Sequence, residues 1–428
     1  MSRNLDNAIH HGVQVGRVTG RFKFEIWYLA YALLGAAVGG ILPIIIPLMA
    51  LKRFEGVCSV GLVVGAFNLG WLLSPVWGSM ADRHSSHREC LTVSFLVISG
   101  VLIALSYTTS LPVWLGLSIL GGVGVAGAVT LSNLFIIENH PQREWGDRIG
   151  HLQMVTGVGQ VVGMLLAALL SDLPLPGVLL VAAGITIAAV FPGRLTPRMP
   201  AEKRGLQGFS NNREIFDPCR RQLSWHKQKI RSKIRAKEVI EKLNGTFGWF
   251  MAFWFLCLTG STMACTLYPV IMKDVFEIGQ RPLSLVFASA MGVSVFLYAL
   301  AGTCSRRFGP SHLIKGTLII RWTAFFGLFS LLSLHITLRG SLTFVSFFII
   351  FLCWPFIGVG CTALTARLST FGKGEGMGVF TAMFALAAVS GAALGGWLAS
   401  WGGYSLAIGL AGLTDGLGLA ILGRLRLS

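Results

Sequence analysis

The sequence predicts an all-α membrane protein with twelve transmembrane helices in two pseudo-symmetric bundles of six. Three observations carry this prediction. Only 12% of the 428 residues are charged and 54% are hydrophobic, whereas about a quarter of the residues in a soluble protein are charged. The apolar residues fall into twelve runs, each close to the roughly 20 residues that a helix needs to cross a bilayer. A long basic segment separates the first six runs from the last six.

The twelve runs, which we number as spans 1 to 12, are too long for the strands of a membrane barrel. Backbone polar groups in the hydrocarbon core must be satisfied within the segment, so each run is predicted to be a helix. The spans are 26–50, 57–80, 90–110, 112–137, 149–171, 175–192, 247–271, 282–304, 312–334, 341–366, 376–399 and 403–423. The predicted domains are a cytoplasmic N-terminal segment (1–25), an N-terminal bundle (26–192), a basic cytoplasmic linker (193–246) and a C-terminal bundle (247–428).

Lysine and arginine residues are distributed unequally between the two sides of the predicted bundles. There are 35 lysine and arginine residues in total. The side that carries both chain ends has 29 of them, the opposite side has 5, and Arg321 lies within span 9. Because basic residues collect on the cytoplasmic side of membrane proteins, both termini are predicted to be cytoplasmic. The chain is accordingly predicted to be a multi-pass protein of the cytoplasmic (inner) membrane.

The formal net charge of +17 is interpreted as attraction to anionic lipid rather than to nucleic acid, since basic residues of membrane proteins meet acidic headgroups. The second part of the linker has apolar residues at helical spacing between lysines and arginines, at Leu223, Ile230, Ile234 and Ile240. This pattern predicts an amphipathic helix on the inner leaflet; the alternative is a solvated charged linker. None of the eight cysteines forms a CxxC pair, and no metal site or cofactor is predicted.

Two short motifs recur at similar distances along the chain. The segment GSMADRHS after span 2 begins at Gly78, and GTCSRRFG after span 8 begins at Gly302. Likewise, GQVVGM in span 5 begins at Gly159, and GAALGG in span 11 begins at Gly391. The offsets of 224 and 232 residues indicate a duplicated six-helix unit.

The topology and the motif after span 2 together resemble the major facilitator superfamily of secondary transporters. Gly78, Asp82 and Arg83 match the family's motif, whereas Ser85 replaces its second glycine and Arg88 comes slightly late. The resemblance implies alternating access, in which two rocking bundles enclose a central cavity lined mainly by spans 1, 4, 7 and 10, and often by 2, 5, 8 and 11.

The second copy of the motif, after span 8, differs from the first in its charge. It retains Gly302, Arg307 and Gly309 but carries Arg306 where the acid would be. If both loops act as latches between the bundles, they cannot use the same chemistry.

The resemblance also gives a role to Asp82, as one side of a cytoplasmic gate. In the family this carboxylate meets a helix N-terminus of the opposite half, which stabilises it through the helix dipole. After span 4, Glu138 precedes Arg143 and Arg148, similar to the family's acidic-then-basic pattern, and Arg148 is a candidate partner of Asp82. The alternative is that Asp82 and Arg83 only mark a tight cytoplasmic turn.

Polar and aromatic residues at helical spacing mark candidate faces of the substrate path. Six belong to stripes of small, polar or aromatic residues in otherwise apolar spans: Tyr28, Asn133, Thr259, Thr262, Thr266 and Trp354. Asn68 in span 2 and Gln160 in span 5 are similar candidates. The alternative is helix–helix packing, because small residues let membrane helices approach closely.

Two ionisable residues lie deep within spans. Arg321 in span 9 and Asp415 in span 12 are each about ten residues from the inner end of the span, which corresponds to about 15 Å at the rise of a helix. They are predicted to pair, and a structural ion pair is favoured over a transport site because the resemblance implies that spans 9 and 12 are peripheral.

Proton coupling requires a titratable group that water reaches alternately from the two sides. Glu25, near the start of span 1, and His151, near the start of span 5, are the candidates because histidine and desolvated carboxylates titrate near neutral pH. Placement of both residues at the membrane interface is the alternative.

These observations predict a monomeric secondary active transporter of a small organic solute that is drug-, siderophore- or metabolite-like, coupled to protons. An enzyme is disfavoured because the sequence has no GxxxxGK[ST], HExxH or HxxxxD motif. The remaining alternative is a transporter-like membrane receptor or scaffold without flux.

Overall fold

The structure is a computed structural model that describes residues 25–73, 77, 87–139, 145–196, 245–333, 339–369 and 373–425. All regular secondary structure in these ranges is helical, which confirms the predicted fold class. The motif residues Gly78, Asp82 and Arg83 lie outside the described residues, and so does the predicted amphipathic helix of the linker.

Helices are numbered along the chain. They are α1 (Tyr28–Phe54), α2 (Val57–Leu73), α3 (His87–Tyr107), α4 (Leu111–Asn139), α5 (Trp145–Leu169), α6 (Leu175–Gly193), α7 (Thr246–Asp274), α8 (Gln280–Phe308), α9 (Pro310–Ser333), α10 (Arg339–Leu368) and a continuous run, Lys373–Arg424. Gly403 interrupts this run with a φ of 78° and a ψ of 172°, a backbone conformation that glycine adopts without strain. We divide the run there into α11 (373–402) and α12 (404–424).

The chain is a multi-pass membrane protein. Ten of the described helices are long and apolar enough to cross a membrane, and one of them contains both α11 and α12. The second predicted span corresponds to α2, a shorter apolar helix that is followed by residues largely outside the described ranges. Every predicted span therefore has a helical counterpart, while the total of twelve crossings stays a prediction.

Helix α1 packs against α5 through backbone contacts that only glycine permits. A Cβ atom on Gly159 would lie 2.0 Å from the carbonyl oxygen of Ala32, and one on Gly163 would lie 2.0 Å from that of Ala36. The facing part of α1 is a π-helical segment, Gly35–Ile41, and such segments often occur at functional sites. The GQVVGM motif thus forms a close helix–helix contact in this half of the protein.

We call the end of the protein near Glu25 and Arg424 the termini face, and the end near Phe54 and Asp274 the opposite face. At the opposite face, Arg53 joins three helices. Its guanidinium donates to the carbonyl oxygens of Leu105 (3.0 Å), Ser106 (2.5 Å) and Thr108 at the end of α3.

The carbonyls that Arg53 contacts include some that lack a partner within their own helix. A positive charge is also favoured at the negative end of a helix dipole. The same guanidinium lies 5.6 Å from the ring centroid of Trp114 in α4, so Arg53 fastens α1 to both α3 and α4.

The two bundles share one hydrophobic core near the opposite face. This core runs through the N-terminal bundle and continues into α7, α8 and α10 at Met263, Leu267, Phe287 and Phe347. A second core belongs to the C-terminal bundle alone and lies toward the termini face, around Phe250, Trp254, Ile314, Ile357 and Phe380. The bundles are therefore packed together near the opposite face and have separate cores near the termini face.

Close contacts between the bundles lie on the opposite-face side of α2, α5, α8 and α11. A Cβ atom on Gly61 of α2 would lie 2.8 Å from the Cα of Gly396 in α11. Gln280, at the start of α8, donates from Nε2 to the carbonyl oxygen of Ala167 in α5 at 2.7 Å. These contacts join the two bundles at the opposite face.

Candidate substrate site

A cavity of about 590 Å³ lies between the two bundles, at α5, α8 and α10. Small-molecule sites typically measure about 300–1,000 Å³. The N-terminal bundle contributes Gln153, Gly157 and Gln160 to its wall, and the C-terminal bundle contributes Ser294, Tyr298 and Trp354. Both bundles must therefore contact a solute bound in this cavity.

Two of the predicted substrate-path residues, Gln160 and Trp354, line this cavity, and the surrounding structure fixes both. The Gln160 side chain lies over Gly39 of α1, where a Cβ atom would come within 2.4 Å of its Cγ. The Trp354 ring stacks on that of Trp254, with centroids 6.1 Å apart and an interplanar angle of 23°. Trp254 in turn stacks on Phe380 at 4.5 Å, so the indole of Trp354 is supported by a row of rings.

A second cavity, of about 250 Å³, lies between α1, α2, α3, α4 and α7. Its wall is mostly aliphatic and includes three predicted substrate-path residues, Asn68, Thr262 and Thr266. Ser118 and Cys265 are the other polar groups on its described wall. None of the described residues that line either cavity is charged.

Three further substrate-path candidates lie away from both cavities. Tyr28 is fully buried, and its ring lies edge-on to Trp27 with centroids 4.6 Å apart. Thr259 packs α7 against α11, since its carbonyl oxygen would lie 2.4 Å from a Cβ atom on Gly391. Asn133 of α4 has a buried Oδ1 with no hydrogen-bond partner among the described residues. A polar stripe predicts a shared helix face but does not distinguish a cavity wall from a packing surface.

Glu25 and Arg148 form an ion pair at the termini face. Arg148 Nη1 donates to Glu25 Oε1, and Trp27 Nε1 donates to Glu25 Oε2 at 2.6 Å. The pair joins the starts of α1 and α5 within the N-terminal bundle. His151 lies one turn further along α5 and is partly buried, and neither it nor Glu25 lines the two cavities. Pairing of Arg148 with Asp82 stays a prediction.

The remaining gating candidates lie at helix ends on the termini face. Gly309 ends α8 with a φ of 82°, which explains the glycine at that position of the second motif. Arg307 is exposed on the last turn of α8, Gly302 is partly buried, and Arg88 is partly buried at the start of α3. The side chains of Glu138 and Arg306 lie outside the described residues.

The structure brings Arg321 and Asp415 together in a bidentate ion pair. Arg321 Nε donates to Asp415 Oδ2 at 2.6 Å, and Nη2 donates to Oδ1 at 2.5 Å. Arg321 also donates to Ser261 Oγ (2.6 Å) and Cys257 Sγ (3.0 Å) of α7. Side-chain exposure is 1% for the arginine and 0% for the aspartate, so the pair links α7, α9 and α12 out of contact with solvent.

Several contributors to these sites are not evident in the sequence. Cys257 and Ser261 complete the partners of Arg321, yet each is an ordinary small residue of a membrane helix. Gln153 and Tyr298 line the larger cavity, and the implied involvement of spans 5 and 8 is the signal that could have found them. Among the described residues, no group of three or more His, Cys, Asp or Glu side chains could hold a metal.

Residues 27–372, which cover the N-terminal bundle and most of the C-terminal one, match the Major Facilitator Superfamily. The chain belongs to this superfamily. It is therefore a secondary transporter rather than an enzyme, as the motif and topology predicted. A comparison with curated proteins finds no match.

Solved structures of transporters share the fold. A mutant of the nucleoside transporter NupG has a TM-score of 0.69 and 12% identity, with coverage of 93% of this chain and 96% of that one. A D-xylose–proton symporter has a TM-score of 0.68 and 15% identity, covering 94% and 98%. A bacterial homologue of the human lysosomal transporter Spinster, in an inward-facing and occupied conformation, has a TM-score of 0.67 and 14% identity, covering 93% and 95%.

Proposed function

We propose that this superfamily member moves a small, neutral organic solute across the cytoplasmic membrane by alternating access, driven by protons. The lining of the cavity between α5, α8 and α10 carries this proposal. Its described wall offers two glutamine amides, a tyrosine hydroxyl and a tryptophan face, with no charged group. Burial of a charge without a partner is costly, so this wall favours a neutral solute over a charged chelate or a cationic drug.

The geometry of the wall suggests the shape of the solute. The supported indole of Trp354 offers a flat apolar face, and the amides of Gln153 and Gln160 can both donate and accept hydrogen bonds. A ring compound with hydroxyl or carbonyl groups on its edge fits this combination. Among the drug-, siderophore- and metabolite-like solutes, we therefore favour a neutral metabolite or a neutral drug.

The shared core near the opposite face and the separate cores near the termini face support a transport cycle with alternating access. In this state the bundles are closed at the opposite face. If the termini face is cytoplasmic, as the distribution of basic residues predicts, this is an inward-facing state. Solved structures with the same fold include inward-facing ones, such as those of XylE from E. coli and the bacterial Spinster homologue.

Flux into proteoliposomes tests the substrate class. The panel contains neutral nucleosides and pentoses, carboxylates and organic cations, each with and without a pH gradient. We expect saturable flux of a neutral ring compound. Replacement of Trp354 by leucine is expected to raise KM at least about fivefold and replacement by phenylalanine to raise it less, because a stacked base or ring is worth about 1–3 kcal/mol.

Two outcomes would contradict the proposal in different ways. Selective flux of a carboxylate or a cation would refute the neutral substrate class while retaining transport. Absence of flux across the panel, with a folded protein that still binds a solute, would favour a receptor or scaffold.

We propose Glu25 as the proton-coupling residue, with His151 as the second candidate. Arg148 and Trp27 both donate to the carboxyl group of Glu25, and a carboxylate anion accepts such contacts. A proton would then have to displace the Arg148 contact at another stage of the cycle. Glu25→Gln is expected to retain solute exchange when the pH is the same on both sides of the membrane. It is expected to lose accumulation driven by a pH gradient.

Glu55→Gln, at an exposed position of the opposite face, is the matched control for this test and should accumulate solute normally. If Glu25→Gln accumulates solute as the wild type does, Glu25 is not the proton-coupling residue. His151→Gln would then be tested in the same way.

We also retain Asp82 as a proposed gate residue, a monomer as the proposed transporting unit, and binding of the basic linker to anionic lipid. An Asp82→Asn variant is expected to lose transport without losing membrane abundance. Unchanged flux would reduce this motif to a marker of topology.

A further inference from the structure

A groove of about 650 Å³ runs along the C-terminal bundle, apart from the two central cavities. Helices α8 and α9 each pack along α10 but make few contacts with one another, so a channel between them remains open. Its walls include Leu297 and Phe308 of α8, Leu313 and Ile320 of α9, and Phe356 of α10. Phe308 and Ile320 are 57% and 56% exposed, so the groove is open at the outer surface of the bundle.

The length of the groove matches the thickness of one leaflet. Its wall on α8 extends from Leu297 to Phe308 at the end of the helix, which corresponds to about 16 Å at the rise of a helix. Half of the hydrocarbon core of a bilayer measures about 15 Å. The groove therefore begins near the termini face and ends near the middle of the membrane, which is the depth that one acyl chain occupies.

Three basic residues lie at the end of the groove nearest the termini face, on or next to lining residues. Arg307 is exposed, and its guanidinium lies 5.5 Å from the ring centroid of Phe308. His312 lines the groove and is exposed, and Lys315 follows it by three residues on α9. Two cations, Arg307 and Lys315, thus lie next in sequence to Phe308 and Gly316, which line the apolar channel.

No acidic residue offsets these cations within the same segment. The sequence contains no Asp or Glu between Glu277 and Glu375, which includes all of α8, α9 and α10. The buried Arg321 is already paired with Asp415 of α12 and does not line the groove. Neither Arg307 nor Lys315 forms an ion pair with another described residue, so their charges remain available to an anion.

We propose that this groove binds one anionic phospholipid of the leaflet at the termini face. One acyl chain occupies the channel between α8 and α9, and the phosphate group contacts Arg307, His312 and Lys315. Each lysine or arginine near a membrane surface contributes about 1 kcal/mol to the attraction of anionic lipid, or roughly fivefold in affinity. The site is independent of the proposed solute cavity, which has different walls.

The test uses the full-length protein in a neutral detergent. Phosphatidylglycerol, phosphatidylcholine and soluble glycerol phosphate are titrated separately. Bound lipid is counted by native mass spectrometry, and the thermal unfolding midpoint is recorded in parallel. The wild type should bind one phosphatidylglycerol tightly, bind phosphatidylcholine at least fivefold more weakly, and show no stabilisation by glycerol phosphate.

Two variants address the two parts of the site. Arg307→Gln combined with Lys315→Gln should weaken phosphatidylglycerol binding by roughly 25-fold, at about fivefold for each charge. Gly316→Phe should also abolish tight binding, because Gly316 lines the groove and no atom lies within 4 Å of a Cβ atom placed there. The controls are Arg281→Gln, an exposed charge at the opposite face, and Gly184→Phe, an exposed glycine of α6 with equally open surroundings.

Equal affinity of the wild type and both groove variants would overturn the proposal, as would equal affinity for phosphatidylcholine. Stabilisation by glycerol phosphate alone would show a simple anion site and would refute the role of the channel. If a groove variant does not fold, the wild type alone still decides the question, since tight binding of phosphatidylglycerol that is insensitive to ionic strength contradicts recognition by these cations.

Discussion

Replacement of Asp415 by asparagine removes the carboxylate that Arg321 contacts at two points. The arginine would remain at a position with 1% side-chain exposure, with Ser261 and Cys257 as its neutral partners. Neither the hydroxyl nor the thiol supplies a negative charge, and the surrounding helices prevent access of water. The variant therefore leaves an uncompensated cation inside the C-terminal bundle.

The expected cost is about 3–5 kcal/mol of folding free energy, which is typical for removal of one partner of a buried pair. Replacement of both members by apolar residues of similar size, Arg321→Met with Asp415→Leu, should be close to neutral or stabilising, because both desolvation penalties disappear. Ser261 keeps its bond to the carbonyl oxygen of Cys257 at 2.9 Å, so the double variant leaves its hydroxyl satisfied. In the double-mutant cycle completed by the single variants Arg321→Met and Asp415→Leu, the coupling energy should therefore exceed about 2 kcal/mol.

The free energy of unfolding in mixed SDS and detergent micelles measures these effects. Asp172→Asn, at an exposed carboxylate on the opposite side of the protein, is the control and should change stability by less than about 0.5 kcal/mol. A destabilisation below 1 kcal/mol for Asp415→Asn would refute the reasoning. If the double apolar variant is stable but has lost flux, the pair participates in transport rather than in structure alone.

Three further predictions address contacts of the backbone. Arg53→Gln should destabilise the protein by about 1–3 kcal/mol, since a charged donor to several carbonyl groups is lost, and thermal unfolding measures the change. Gly163→Val should prevent the close approach of α1 and α5, because its Cβ atom would lie 2.0 Å from a carbonyl oxygen, and the yield of monodisperse protein should fall severalfold. Gly61→Val should disfavour closure of the opposite face, because its Cβ atom would lie 2.4 Å from the carbonyl oxygen of Ala392 in α11. Distances between spin labels on the opposite-face ends of the two bundles should therefore lengthen.

Two of these variants have a control variant in the same region. Lys52→Gln removes an exposed charge next to Arg53 and should leave the unfolding temperature unchanged. Gly157→Val is the comparison for Gly163, since a Cβ atom at Gly157 has its nearest neighbour at 4.0 Å, and equal yields of the two variants would contradict the packing argument. Unchanged label distances in Gly61→Val would show that the contact does not hold the opposite face closed.

The sequence was sufficient to predict the helical class and the membrane location, because both follow from the length and composition of the apolar runs. It also predicted that Arg321 and Asp415 meet, since two charges at equal depth in a low-dielectric interior have few other partners. The same reasoning succeeded only in part for the cavity walls. Gln160, Trp354, Asn68, Thr262 and Thr266 line the cavities, whereas Thr259 lies in a helix contact.

The rotation of each helix about its own axis explains why some predicted substrate-path residues do not line a cavity. Thr259 and Thr262 lie within one turn of α7 and both approach Gly391 of α11, yet Thr262 also lines the smaller cavity whereas Thr259 does not. The rotation of the helix about its own axis decides which of them reaches the cavity. Such a rotation depends on how all neighbouring helices pack, and no local pattern in the sequence encodes it.

The sequence by itself determined the class of protein, the approximate helix boundaries, the duplicated motifs and the family they indicate, because these depend on local composition and spacing. Only the tertiary structure decided that Arg148 meets Glu25, that Arg53 fastens α1 to α3 and α4, and that the two bundles share a core near one face alone. Those features depend on contacts between residues that are distant along the chain, and their geometry is set by the packing of whole helices.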